Sequence, residues 1–218
     1  MKKKIILMGI AGAMVLTFII GGTMAGFTAQ SEQGKTDIKT KQLGITLGDG
    51  EGVPLSDKPD DIEIRMPGEE VPAAYSVTND VQEGYDLYTR VTIYKYWEDH
   101  PDELDPELIH LYAGKETDRQ ELTAGTAVNG WLIWYADAEQ VIAYYTKPLA
   151  TGEVTSNILD SISVSAEVDN SYTDKKVMLD ITADAVQKAV AESSIPAEWG
   201  VYPEFDADGN ITGIKEVR

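Results

Sequence analysis

Residues 85–97 read YDLYTRVTIYKYW, and their period decides the fold class. Leu87, Val91, Ile93 and Trp97 fall on one side, and Tyr88, Arg90, Thr92, Tyr94 and Tyr96 on the other. Alternation with a period of two marks a strand, because successive side chains leave a pleated backbone on opposite faces. The same period recurs outward from this segment. In 61–66, Ile62, Ile64 and Met66 share a face, with Glu63 and Arg65 opposite. Val71, Ala73, Tyr75 and Val77 form the inner set of 71–80. Segments 131–135 and 141–146 are short and aromatic. Ile158, Ile162, Val164, Ala166 and Val168 make one face of the next strand. Val177, Leu179, Ile181, Ala183 and Ala185 make one face of 175–187.

The punctuation between these segments agrees. Pro67-Gly68 is a turn dipeptide. Residues 137–139 separate the two short aromatic strands as a hairpin requires. Asp206 to Asn210 (DADGN) joins a final pair, 202–205 and 211–217. Helix signals are few. Asp105 before Pro106 predicts a helix start that continues to Leu111, and the strand ending near Gln187 passes into a short helical turn. The expected fold over residues 42–218 is therefore all-β: a jelly-roll-like antiparallel β-sandwich with a short helical insertion.

The N-terminus has a different character. Lys2, Lys3 and Lys4 precede the apolar stretch IILMGIAGAMVLTFII over 5–20, and small residues follow at 21–25. This order is that of a secretory signal peptide over residues 1–25, cut between Ala25 and Gly26, with Thr23 and Ala25 as the small side chains a signal peptidase reads. The alternative is an uncleaved anchor, since the stretch is long enough to cross a bilayer. Residues 26–41 read as a flexible arm. Phe27 is the only large apolar residue before Ile38, so little holds residues 26–37 to a core. Leu43, Ile45 and Leu47 then alternate as a strand.

Composition narrows the function. The chain has 218 residues, 37 Asp+Glu against 18 Lys+Arg, a formal charge of −19, no Cys and two His. Without Cys there is no disulfide framework, zinc ribbon, thiol nucleophile or lipid-modified cysteine. Two histidines exclude a three-histidine metal site. Such acidity disfavours nucleic acid, whose phosphates need clustered Lys and Arg. His100 and His110 are not in an HExxH pattern and read as solvated or hydrogen-bonded. Asp206, Asp208 and Asn210 begin with the spacing of a calcium loop, but Ile211 stands where that loop needs Gly and Val217 where it needs Glu. A plain turn is the better reading. No nucleophile elbow, phosphate loop or distinguished carboxylate pair is present. Trp97, Trp131, Trp134, Tyr144, Tyr145 and Trp199 offer a carbohydrate platform, but core packing accounts for alternating strand aromatics better. No catalytic residue, metal or cofactor is expected, and the chain is read as a non-enzyme.

The order of segments resembles a known family. The run Gly21-Gly22-Thr23-Met24-Ala25-Gly26-Phe27 after the apolar stretch looks like the export signal of TasA/camelysin-like proteins, with Met24 where the family usually has an aromatic residue. Met66-Pro67-Gly68-Glu69 before a strand ending in Thr78-Asn79 is similar to the family's turn and strand end. Tyr88-Thr89-Arg90-Val91, Tyr96-Trp97, DPELIHL at 105–111, Trp131, Tyr144-Tyr145, Ala185-Val186-Gln187 and Glu198-Trp199-Gly200 resemble later segments in the same order. The resemblance implies processing by a SipW-type signal peptidase, a jelly-roll domain, membrane contact only during export, and a place on a Gram-positive surface or in its extracellular matrix or biofilm. Some relatives assemble into fibres by lending an N-terminal strand. Some camelysin-like members are classed as metalloproteases, an activity for which this chain has no matching zinc motif.

Two functions are expected from different classes. The first is a secreted structural protein that self-associates, or associates with related matrix subunits, through the arm and strand marked by Phe27, Ile38, Leu43, Ile45 and Leu47. A strand that completes a neighbour's sheet edge gains affinity from its main chain and register from alternate side chains. Its counterpart is an unattached arm followed by a strand that pairs within its own domain. The second function is a surface binding module for a glycan or cell-wall ligand, using exposed tyrosines such as Tyr88, Tyr94 and Tyr96.

Overall fold

The computed structural model describes residues 28–31, 45–48, 61–62, 67–80, 84–98, 104–173 and 175–216. In chain order the strands are β1 (Thr28–Ser31), β2 (Ile45–Gly48), β3 (Asp61–Ile62), β4 (Glu70–Asn79), β5 (Leu87–Trp97), β6 (Ile109–Ala113) and β7 (Gln120–Glu121). They continue as β8 (Ala127–Val128), β9 (Trp131–Ala136), β10 (Gln140–Tyr145), β11 (Leu159–Val164), β12 (Val177–Gln187), β13 (Val201–Phe205) and β14 (Ile211–Glu216). Among the described residues one α-helix, α1 (Ala191–Trp199), links β12 to β13.

The fold is all-β and every strand pair is antiparallel. The first sheet has the order β1-β12-β5-β10-β9-β8, with β3 also on β12, and the second has the order β2-β4-β11-β6-β7. Their inner faces share one core. From the first sheet come Leu87, Val91, Ile93, Trp97, Ile133, Val141 and Ala183; from the second come Tyr75, Val77, Ile109, Leu111 and Ile162. Antiparallel sheets with one buried face alternate apolar and polar residues, which is why the period was legible.

A third layer covers part of the first sheet's outer face. Helix α1 and the β13–β14 hairpin enclose a second apolar cluster of Tyr88, Tyr144, Val186, Ile195, Trp199, Val201 and Ile211. Gly200 ends α1 in the left-handed region (φ 69°), a conformation glycine adopts without a Cβ clash. The chain can therefore reverse straight into β13.

Local expectations meet this frame unevenly. β12 stops at Gln187 and passes through a 3-10 turn at Lys188–Val190 into α1, as its sequence suggests. The helix expected from Asp105 to Leu111 shrinks to one 3-10 turn, Pro106–Leu108, capped by the Asp105 side chain on the Glu107 N–H at 2.9 Å. Ile109, Leu111 and Ala113 are instead the buried face of β6, and burying three apolar side chains outweighs a weak helical preference. Ile158, Ile162 and Val164 are buried as expected, but Ala166 lies exposed beyond the end of β11. The DADGN turn joins β13 to β14. The Asp206 carboxylate accepts from the N–H groups of Asp208 and Asn210 at 2.9 and 2.8 Å and from the Asn210 amide at 2.9 Å. Its oxygens are engaged by the turn itself.

Candidate assembly interface

Two flanks of the sandwich carry sheet edges, and they are built differently. On one flank the edges are β7 and β8, two residues each, and short edge strands offer little template for another chain. On the other flank the edge of the second sheet is β2, and the edge of the first is the outer side of β12 with β1 and β3 on it. β2 lies against both β1 and β12. Thr28–Ser31 and Ile45–Gly48 thus supply edge strands to both sheets on the same flank.

β12 is the backbone of this flank. It pairs with β5 along its full length, from Val177↔Trp97 to Gln187↔Leu87. Its other side holds β1 in the register Thr28↔Val186 to Ser31↔Ala183, and β3 at Val177 and Met178. Among the described residues, Leu179, Asp180, Ile181 and Thr182 have no strand partner on that side. β2 is held through Ile45↔Asn79, Thr46↔Thr78, Leu47↔Val77 and Gly48↔Ser76. Ile45 is buried in the core and Leu47 packs at its margin.

The sequence-derived assembly residues are therefore split. Ile45 and Leu47 sit in a strand that pairs within its own domain, which is the second of the two alternatives left open for that strand. Part of the arm expected to be flexible, Thr28–Ser31, is likewise a strand on its own chain, because β12 otherwise presents unpaired main-chain groups there. Ala25, Gly26, Phe27, Ile38 and Leu43 lie outside the described residues, as do the signal segment 1–25 and His100.

Behind the β1 pairing lies a part-buried ion pair. Asp184, opposite Gln30 in the β1 register, accepts from Arg90 Nε at 3.0 Å and from its Nη2. The Arg90 guanidinium also lies 5.4 Å from the centroid of the Trp199 ring, which stands 5.5 Å from Tyr144. Burial pushes the Tyr144 phenol up, with Arg90 opposing. Tyr88, expected among the exposed tyrosines, is only 2 % exposed. The β13–β14 hairpin covers it and its hydroxyl donates to the Gly209 carbonyl, so it is a core residue rather than a binding one. Trp97, Trp131, Tyr144 and Trp199 are buried too, in agreement with core packing.

One charged residue escaped the sequence reading. Lys95 occupies an inward position of β5 and is only 7 % exposed. Its ammonium crosses to the facing sheet and donates to the Ile109 carbonyl. Burial lowers its pKa, while the carboxylates of Glu121, Asp137, Glu107 and Asp105 pull it back up. Lys95 lies at a cleft of about 370 Å³ together with His110, Glu121, Thr123 and Asp137. There His110 Nδ1 stands 2.7 Å from Glu121 Oε1. The signal was available in the sequence: position 95 has the same parity as Val91, Ile93 and Trp97.

Among the described residues no helix is long and apolar enough to cross a membrane, and no group of three or more His, Asp or Glu is placed to hold a metal ion. Comparison with protein-family models, with curated proteins and with solved structures returns no match.

Proposed function

We propose that this is a secreted structural protein of a Gram-positive cell surface or extracellular matrix, which polymerises by exchanging its N-terminal strand between copies. One observation carries the reading: Thr28–Ser31 and Ile45–Gly48 edge both sheets on the same flank, and among the described residues β1 is joined to β12 over four residues. A short edge strand that pairs in its own molecule can make the same main-chain bonds in a neighbour. Exchange then costs few contacts and links subunits in a row. The export signal read at residues 1–25, with a cut between Ala25 and Gly26 by a SipW-type peptidase, supports a location outside the cell. The crossings between sheets at β4–β5, β5–β6, β7–β8, β10–β11 and β11–β12 support a jelly-roll winding like that implied by the TasA/camelysin resemblance. In this reading the protein is a building block, without a catalytic centre or cofactor, and its partners are further copies or related matrix subunits.

Electron microscopy of the purified protein tests it. Fibres are expected, and deletion of residues 26–41 abolishes them. A synthetic 26–41 peptide added to the intact protein competes for β12 and shortens fibres. Fibres that persist unchanged after the deletion, or ignore the peptide, overturn strand exchange.

A further inference from the structure

The third layer stops part-way along the first sheet. Beyond it the outer face of β5 is open at Tyr94, which is 43 % exposed, and half-covered at Tyr96. Beside them lies a groove of about 430 Å³ whose lining includes Tyr94, Tyr96, Leu104, Pro106, Glu139 and Asp180. Asp180 of β12 stands directly opposite Tyr94. On the other side of Tyr94 is Gln140 of β10, which follows Glu139. The Gln140 amide donates to the Tyr94 hydroxyl at 2.7 Å, which fixes the ring and leaves its O–H to donate outward. Lys95 also lines the groove, but its ammonium is turned to the Ile109 carbonyl.

A fixed phenol ring flanked by carboxylates favours a cation with apolar carbon beside it. The ring quadrupole attracts the charge, and the carboxylates accept its hydrogens. Net charge points the same way, because a chain of formal charge −19 repels acidic sugars and attracts cationic ones. We propose that this groove binds an amino sugar, a glucosamine residue within a de-acetylated glycan. Its ring C–H face lies on Tyr94 and its ammonium lies near Asp180, with Glu139 adding negative potential from the far side of the ring. This site is separate from the strand flank and holds whether or not the protein polymerises.

Titration calorimetry of the purified protein with glucosamine hexamer and with N-acetylglucosamine hexamer, in physiological salt, tests the proposal. The free-amine hexamer is expected to bind and the acetylated one to bind at least about tenfold more weakly. Tyr94→Ala and Asp180→Asn each weaken binding about three- to tenfold, while Tyr94→Phe, which keeps the ring, changes it little. Glu192→Gln, which removes an exposed carboxylate of α1, leaves it unchanged. Circular dichroism confirms the fold of each variant, and Asp180→Asn keeps the test open if Tyr94→Ala does not fold. No binding of the free-amine hexamer, equal binding of both hexamers, or equal weakening by Glu192→Gln and Asp180→Asn overturns the groove as the site.

Discussion

Asp184 and Arg90 face each other across the β12–β5 pair, and the carboxylate takes the Arg90 Nε and Nη2 protons while the same guanidinium lies over the Trp199 ring. One ion pair therefore joins the strand that receives β1 to the helix of the third layer. The pair is part-buried, so removing one partner leaves the other charge only partly compensated by solvent, which costs about 1–3 kcal/mol. Asp184→Asn and Arg90→Met are each expected to lower the urea midpoint. The double variant should recover much of the loss. Trp199 fluorescence follows the third layer, and an unchanged spectrum in Arg90→Met would separate α1 from this pair.

Asn79 closes β4 with its side chain. It is 1 % exposed, and its amide donates to the Tyr85 carbonyl at 2.9 Å and to the Leu149 carbonyl at 3.0 Å. One residue thus ties the β4–β5 turn to the segment after β10. Asn79→Ala removes both bonds, although the Leu149 carbonyl keeps the Leu87 N–H at 3.0 Å, and is expected to cost about 1–2 kcal/mol. Thermal unfolding reads the loss, and a variant as stable as the parent would show that the clamp contributes nothing.

Lys95 sets a pH dependence. Its folded pKa lies below the unfolded value of 10.5, so the unfolded chain binds the extra proton between the two. Stability from this residue is therefore lowest below the folded pKa and recovers as pH rises towards the unfolded one. Tyr88 and Tyr144 act oppositely, because burial raises both phenols and their contribution is lost above pH 10. The difference between Lys95→Met and the parent isolates the lysine. The variant should be the more stable at neutral pH, with a margin that shrinks as pH rises towards 10.5. A margin constant across that range would contradict the shift.

Assembly should depend on salt. The chain without residues 1–25 has 15 bases against 37 acids, a charge of −22. Subunits of like charge repel until ions screen them, within about 8 Å at physiological strength. Turbidity or light scattering is expected to show faster polymerisation at higher salt and in mild acid. Equal rates at low and high salt would remove electrostatic control.

Much of the sandwich was legible because its strands are covered on the core side and alternate strongly. Residues 85–97, 175–187 and the two hairpin turns at 137–139 and 206–210 needed only local chemistry to place. The helix expected across 105–111 failed because β6 gains a buried apolar face only in the presence of the opposite sheet. Tyr88 was misplaced for a related reason: its face is polar by period, and only a hairpin more than a hundred residues away covers it. Lys95 was missed because a long charged side chain reads as solvated unless its carbonyl partner on another sheet is known.

By itself, the sequence determined the period-two pattern, its turns and the division of each strand into two faces, since these follow from the pleat and from neighbouring residues. Tertiary structure decided which faces are covered, that Thr28–Ser31 and Ile45–Gly48 edge both sheets on one flank, and that Asp184, Arg90 and Trp199 meet. Those outcomes depend on main-chain pairing between distant segments, whose donors and acceptors are the same at every residue and leave no mark in the local sequence.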